Sequence, residues 1–148
     1  MTKLLKNNQQ GFSLIEIMIA VTIFTIGILA TGAMQMKAVS GNSFASGLTE
    51  ATTVAQAQME KLMALSYNDS ALNDTDNDKT AGLNDASAAT ADGSSQYTGQ
   101  TGTVYNIFWN VAVDSPVTNT KQIRIIVKWT AKTSARQITL NFIKALSQ

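Results

Sequence analysis

Two different hydrophobic periods divide this chain. From Ile17 to Met36 the sequence is apolar almost without interruption, and between Glu16 and Lys37 it carries no charged residue. That run is close to the ~20 residues that cross a ~30 Å hydrocarbon layer as a helix. After Lys37 the pattern turns amphipathic. Phe44, Leu48, Ala51, Ala55, Met59 and Leu62 recur every three or four positions and define one face, with Glu50, Gln56, Glu60 and Lys61 mainly elsewhere. No proline interrupts Phe12 to about Ser66, because the only proline is Pro116. The pattern predicts one helix of roughly 80 Å at ~1.5 Å per residue. A small soluble domain has no use for that length, so the front half must pack against lipid or against other helices.

Gly27, Gly32, Gly41 and Gly47 punctuate this helix, each at a cost of up to ~1 kcal/mol against alanine. Small residues permit close helix contacts in lipid; the competing reading is local melting and bending. From Tyr67 to Gly102 the chain is rich in Asp, Asn, Ser, Thr, Ala and Gly, which predicts a long polar connection with a short helix around Asn84 to Thr90. Beyond it the period drops to two. Tyr105, Ile107, Trp109, Val111 and Val113 alternate with Asn106, Phe108, Asn110 and Ala112. Ile123, Ile125, Val127 and Trp129 form a second row, and Ile138, Leu140 and Phe142 a third. Alternation with β-branched and aromatic enrichment is the strand signal, and Asp114-Ser115-Pro116 and Thr133-Ser134-Ala135 mark turns. One sheet face is expected to bury its apolar row against Phe44, Leu48, Met59 and Leu62. The predicted class is α+β, a helix on an antiparallel sheet.

Composition narrows the chemistry. The chain has 148 residues with a net charge of +1, and no cysteine or histidine. Without cysteine there is no disulfide framework; without histidine the commonest general base and transition-metal ligand is gone. The charge balance demands neither a nucleic acid nor an acidic substrate.

Glu16 is the anomaly. An unpaired carboxylate inside a bilayer costs on the order of 2.5–3.5 kcal/mol even by lenient insertion scales, so it needs a partner. Cleavage between Gly11 and Phe12 makes one: the new α-amine of Phe12 is cationic and lies one helical turn from the acid. In a bundle of such helices one subunit's amine can meet its neighbour's Glu16. At ~4 Å and an effective dielectric near 20 that contact is worth ~4 kcal/mol. The simpler alternative is a Glu16 solvated at the headgroup level. The segment Met1 to Gly11 is short and basic through Lys3 and Lys6, with no apolar region of its own. Those lysines keep the leader cytoplasmic and put the chain after the anchor outside. A signal peptide cut after Ala30-Thr31-Gly32 is the competing reading, but the apolar run exceeds the ~7–15 residues of such a region.

The leader ending in Gly11, followed by Phe12-Ser13-Leu14-Ile15-Glu16-Ile17-Met18-Ile19-Ala20, resembles the type IV pilin and pseudopilin family. The resemblance implies cleavage after Gly11 by a prepilin peptidase, methylation of the Phe12 amine, and assembly through Glu16. It implies a pilin fold divided into a leader at 1–11, a transmembrane and filament-core helix at 12–36 and a soluble domain at 37–148. Within that domain the helix half covers 37–66, the polar loop 67–102 and the sheet 103–148. The expected partners are other pilins or pseudopilins, the peptidase, an inner-membrane assembly platform, and membrane lipid before assembly. The expected location is the bacterial inner membrane, crossed once, and afterwards a surface pilus or periplasmic pseudopilus. Many pilins carry a C-terminal disulfide that this chain lacks, and the family's helix-breaking proline is absent. The segments Ile26 to Ala30 and Ala55 to Leu62 look like the minor pilin PilV group. That points to a non-catalytic minor pilin that primes, caps or decorates a filament. The alternatives are a minor pseudopilin of a type II secretion system and a membrane-tethered ligand module that never polymerises.

Two further charge clusters stand out. Asp74, Asp76, Asp78 and Asp85 fit the first, third, fifth and twelfth positions of a calcium loop. Lys79 stands where a turn glycine is expected, and Asp85 is shorter than the usual closing glutamate. Calcium is the one candidate cofactor; the alternative is a solvated Asp/Asn loop. After Asp114 every charge is positive: Lys121, Arg124, Lys128, Lys132, Arg136 and Lys144. These read as a solvated outer face that balances the acidic loop, in preference to a phosphate-binding face for nucleic acid.

Overall fold

The computed structural model describes residues 11–146. Residues 1–10 of the expected leader (1–11), Lys3 and Lys6 among them, lie outside them. The elements are one helix, α1 (Leu14–Ala64), and four strands: β1 (Gly93–Thr98), β2 (Val104–Val113), β3 (Thr120–Ala131) and β4 (Ser134–Ala145). Two single-turn 3₁₀ segments, Ser70–Leu72 and Gly82–Asn84, lie between helix and sheet. The chain forms two compact units, Met1–Ser43 and Phe44–Gln148.

The first unit is helical from Leu14, two residues later than the apolar pattern suggests. Ser13 explains the difference. Its hydroxyl accepts the Glu16 N–H at 3.3 Å, the contact an N-cap serine makes three residues ahead. The apolar side chains that follow are exposed, Leu14 and Phe24 among them, and the helix is long and apolar enough to cross a membrane. Its threonines do not spoil that. Thr22, Thr25 and Thr31 return their hydroxyls to the carbonyls of Met18, Val21 and Gly27 at 2.7–2.9 Å, so each donor is satisfied within the helix. The helix runs unbroken through Gly27, Gly32, Gly41 and Gly47.

The second unit is an antiparallel meander in the order β1-β2-β3-β4 with the rear of α1 on one face. The register Tyr105↔Trp129, Ile107↔Val127, Trp109↔Ile125 and Val111↔Ile123 puts the two apolar rows side by side. Ile138, Leu140 and Phe142 of β4 extend them. Against this face α1 buries Ala51, Val54, Ala55 and Leu62. The expected helix face is therefore correct at its C-terminal end and wrong at its start: Phe44 and Leu48 stay exposed. Small alanines let the helix approach the sheet closely, and the large aromatics Tyr105 and Trp129 fill the space opposite.

Two expectations need correction. A strand, β1, forms inside the stretch expected to be a polar connection, pairing Gly93↔Trp109 through Thr98↔Val104. Its burial pattern is almost wholly exposed, so no apolar alternation announced it. No helix spans Asn84 to Thr90; a single 3₁₀ turn precedes it. The second sheet face is also covered. Phe108, Asn110, Ala112 and Ile126 are buried there together with Leu83, because the segment around Gly82–Asn84 folds across it. The β3–β4 turn is the two residues Lys132-Thr133, with Lys132 at φ 58°.

Candidate functional site

Gly11, Phe12 and Ser13 precede the first helical residue and are exposed. The Gly11–Phe12 peptide bond is thus outside the helix and its hydrogen-bond ladder. A peptidase needs such a backbone, because a helical bond must be unwound before it can be cut. A Cβ placed on Gly11 meets nothing within 4 Å, so among the described residues no close contact requires glycine there. Glu16 lies in the first turn of α1, exposed, where the exposed N–H groups and the helix dipole favour an anion. The carboxylate has a local reason to sit at this end of the helix besides any contact with a neighbour.

The acidic loop is only partly assembled as expected. Asp74, Asp76 and Asp78 each offer an oxygen within 4.8 Å of the others. Asp85 is not in that group. Its backbone carbonyl accepts from Asn110 Nδ2 at 2.8 Å instead. Lys79, the apparent defect, adopts φ 55°, the left-handed conformation a glycine would supply. Its N–H donates to Asp74 Oδ2 at 3.0 Å, while the other oxygen, Asp74 Oδ1, is buried with no hydrogen-bond partner. The Asp78 carboxyl is held above its ordinary value by partial burial first, then by the like charges of Asp76, Asp74, Asp85 and Asp92. Gly82 closes the arrangement: a Cβ there would fall 1.9 Å from an Asp78 oxygen. A loop with three crowded carboxylates and one orphaned oxygen suits a hard divalent cation such as calcium, with three ligands in place of four.

The cations do not form one solvated face. Lys121 is buried on the helix side. Its Nζ donates to the carbonyls of Leu72 at 2.7 Å and Tyr67 at 2.9 Å, and lies 4.7 Å from the Tyr67 ring centroid. Burial pushes its amine below the ordinary lysine value. Lys144 donates to Met63 O in the last turn of α1, where a cation complements the helix dipole. On the opposite face Arg124 reaches Asn84 Oδ1, and Lys128 reaches Ala86 O at 3.1 Å. These side chains tie the connection to the sheet.

Three further polar residues have partners the pattern did not give: Asn110 and Asp92 tie the connection to the sheet, and Tyr105 ties the helix to it. Asn110, 2% exposed, donates to Leu83 O and Asp85 O. Asp92 accepts from Val111 N at 2.7 Å and from both the N–H and hydroxyl of Thr75, taking over the ladder where β1 begins. Tyr105 donates to Glu50 Oε2 at 2.8 Å. An asparagine interrupting the apolar run of β2 was the one available signal.

A long apolar N-terminal helix with an acid in its first turn, its rear half on a four-stranded antiparallel sheet, is consistent with the type IV pilin α+β fold. The family model described as "Prokaryotic N-terminal methylation motif" matches residues 6–32. That match supports a type IV pilin or pseudopilin, and implies processing by a prepilin peptidase, assembly with other pilins and membrane anchoring before assembly. No curated protein and no solved structure matches the chain.

Proposed function

We propose that this chain is a minor type IV pilin, a non-catalytic subunit that primes, caps or decorates a filament. The observation that carries the reading is the non-helical Gly11–Phe12 bond directly ahead of an exposed apolar helix with Glu16 in its first turn. In this reading residues 1–11 are removed, residues 12–36 cross the inner membrane and then enter the filament core, and residues 37–148 are the soluble domain. The Phe12 amine of one subunit neutralises Glu16 of the next. Mass spectrometry of the native N-terminus tests processing: a chain starting at methylated Phe12 is expected, and one still carrying Met1 refutes it. Glu16→Ala should leave membrane insertion intact and lower recovery in sheared filaments; equal recovery refutes the assembly role. A minor pseudopilin of a type II secretion system is the alternative within the same motif. Recovery from secretion-competent envelopes rather than from surface filaments would favour it.

Calcium at Asp74, Asp76 and Asp78 belongs to this proposal. The buried, unpartnered Asp74 Oδ1 favours it; Asp85 is left out as a ligand. Calcium should raise the melting temperature of the wild-type protein and leave Asp76→Asn/Asp78→Asn unchanged. A flat wild-type response across the millimolar range refutes it.

A further inference from the structure

β4 is an outer strand of the sheet. It pairs with β3 along its whole length, from Ala131↔Ser134 to Thr120↔Ala145. In an antiparallel pair, alternate residues turn their N–H and C=O groups toward the neighbouring strand and the others turn theirs away. The bond from Leu146 N to Asn119 O at 3.0 Å continues this register and shows which set is which. Even-numbered residues of β4 bond to β3. Odd-numbered residues, from Ala135 to Ala145, turn both backbone groups to the open edge, where no other described segment pairs with them.

Open edges are blunted by short length, proline, a bulge or outward charge. β1, at the other edge, has six residues. β4 has twelve, with no break in its register and no proline. Its only charges, Arg136 and Lys144, are even-numbered and share the helix face with Ile138, Leu140 and Phe142 between them. Those three apolar side chains are only partly buried against the core. α1 runs beside them: Arg136 stacks over the Phe44 ring at 5.1 Å, and Lys144 Nζ donates to Met63 O at 2.6 Å. Phe44, Leu48 one turn further on, and Met63 are exposed. An apolar shelf therefore follows the open edge. At each end of it stands a cation whose partner, a ring or a carbonyl, carries no net charge.

We propose that β4 takes a fifth, antiparallel strand from another polypeptide, an extended segment spanning Arg136 to Lys144 with apolar residues at alternate positions and an acid at each end. Backbone bonds to the odd-numbered residues hold it. Its apolar side chains extend the row of Ile138, Leu140 and Phe142, and its acids lie opposite Arg136 and Lys144. Charge selects this occupant over a second copy of β4, which would bring another Arg136 and another Lys144 to the seam and no acid. Every group involved belongs to the unit Phe44–Gln148, so the site does not depend on how the front helix is used.

The test follows amide hydrogen exchange by NMR in the full chain in detergent. The probe is the end-capped peptide Glu-Thr-Val-Thr-Val-Thr-Val-Thr-Glu. In the free chain the even-numbered amides of β4 should be protected and the odd-numbered ones should exchange near their intrinsic rates. The peptide should protect the amides of 137, 139, 141 and 143. Its form N-methylated at the threonines, which cannot donate to the edge, should not. A version with lysine at both ends should bind about tenfold more weakly, the scale of two exposed ion pairs. Arg136→Gln/Lys144→Gln should level the two peptides while the even-numbered amides stay protected. Odd-numbered amides already protected in the free chain overturn the proposal, because the edge is then covered. Protection that grows with protein concentration alone assigns the edge to a second copy and overturns it too. Equal affinity of the acid-ended and lysine-ended peptides for the wild-type chain, or no protection by the acid-ended one, likewise overturns it.

Discussion

Removing a single hydroxyl tests how the helix is held on the sheet. Tyr105 is fully buried, and its hydroxyl donates to Glu50 Oε2 at 2.8 Å. The ring contacts Tyr97 and Trp129 at centroid distances of 6.2 and 5.9 Å. Tyr105→Phe keeps those contacts and deletes only the donor. A hydrogen bond to a charged group contributes about 1.5–3 kcal/mol, and the abandoned Glu50 carboxylate, only half-buried, recovers part of that from water. The expected loss is therefore about 1.5–2 kcal/mol, or roughly 6–15 °C in Tm for a domain of about 100 residues. The assay is urea unfolding of the purified full chain in detergent, with Glu50→Gln and the double variant completing a mutant cycle. The phenol adds an independent readout. Burial, then Glu50, pushes its pKa up to about 12 from 10.0. Because the folded value is the higher one, this contribution is complete below pH 10 and is lost as pH rises from about 10 to about 12. Tyr105→Phe should abolish that part of the alkaline decline. A loss under about 0.5 kcal/mol with no coupling to Glu50 would show that the helix is held by apolar packing alone.

Asn110→Ala should cost about 2–3 kcal/mol, since two buried carbonyls, of Leu83 and Asp85, lose their donor; limited proteolysis should then cut within 79–90 faster than in Leu62→Ala, which weakens the helix face instead. Leu62, 1% exposed in the core, should lose about 2–5 kcal/mol on truncation to alanine, read as a shifted urea midpoint with an unchanged slope. The Asp78 carboxyl is raised in the folded chain, so without calcium the protection of residues 74–82 against hydrogen exchange, taken relative to the intrinsic rate at each pH, should grow as pH falls through the window just above the ordinary aspartate value of 3.8, and shrink as pH rises. Calcium should remove that change in protection, because a bound cation offsets the repulsion; a pH-independent protection without calcium refutes the crowding.

What the linear sequence determined is whatever repeats or must be locally satisfied. The uncharged run from Ile17 to Met36 specifies a helix wet by lipid or by other helices. The alternation in β2, β3 and β4 specifies strands, since each side chain's face follows from its parity. The Gly11–Phe12–Glu16 spacing is legible for the same reason: it depends on positions one turn apart. What only the tertiary structure decided is which distant groups meet. β1 has no apolar face and exists because β2 offers it an edge. Phe44 and Leu48 share the helix period with Ala51 and Leu62 but stay exposed, because the register of helix on sheet puts the close contact farther along. Lys121 and Asn110, polar residues in strands, look solvated in one dimension. They are buried because the carbonyls of Tyr67, Leu72, Leu83 and Asp85, 25 to 54 positions away, come to their donors. A periodicity cannot encode such pairs, because a hydrogen bond between remote residues leaves no spacing in the chain.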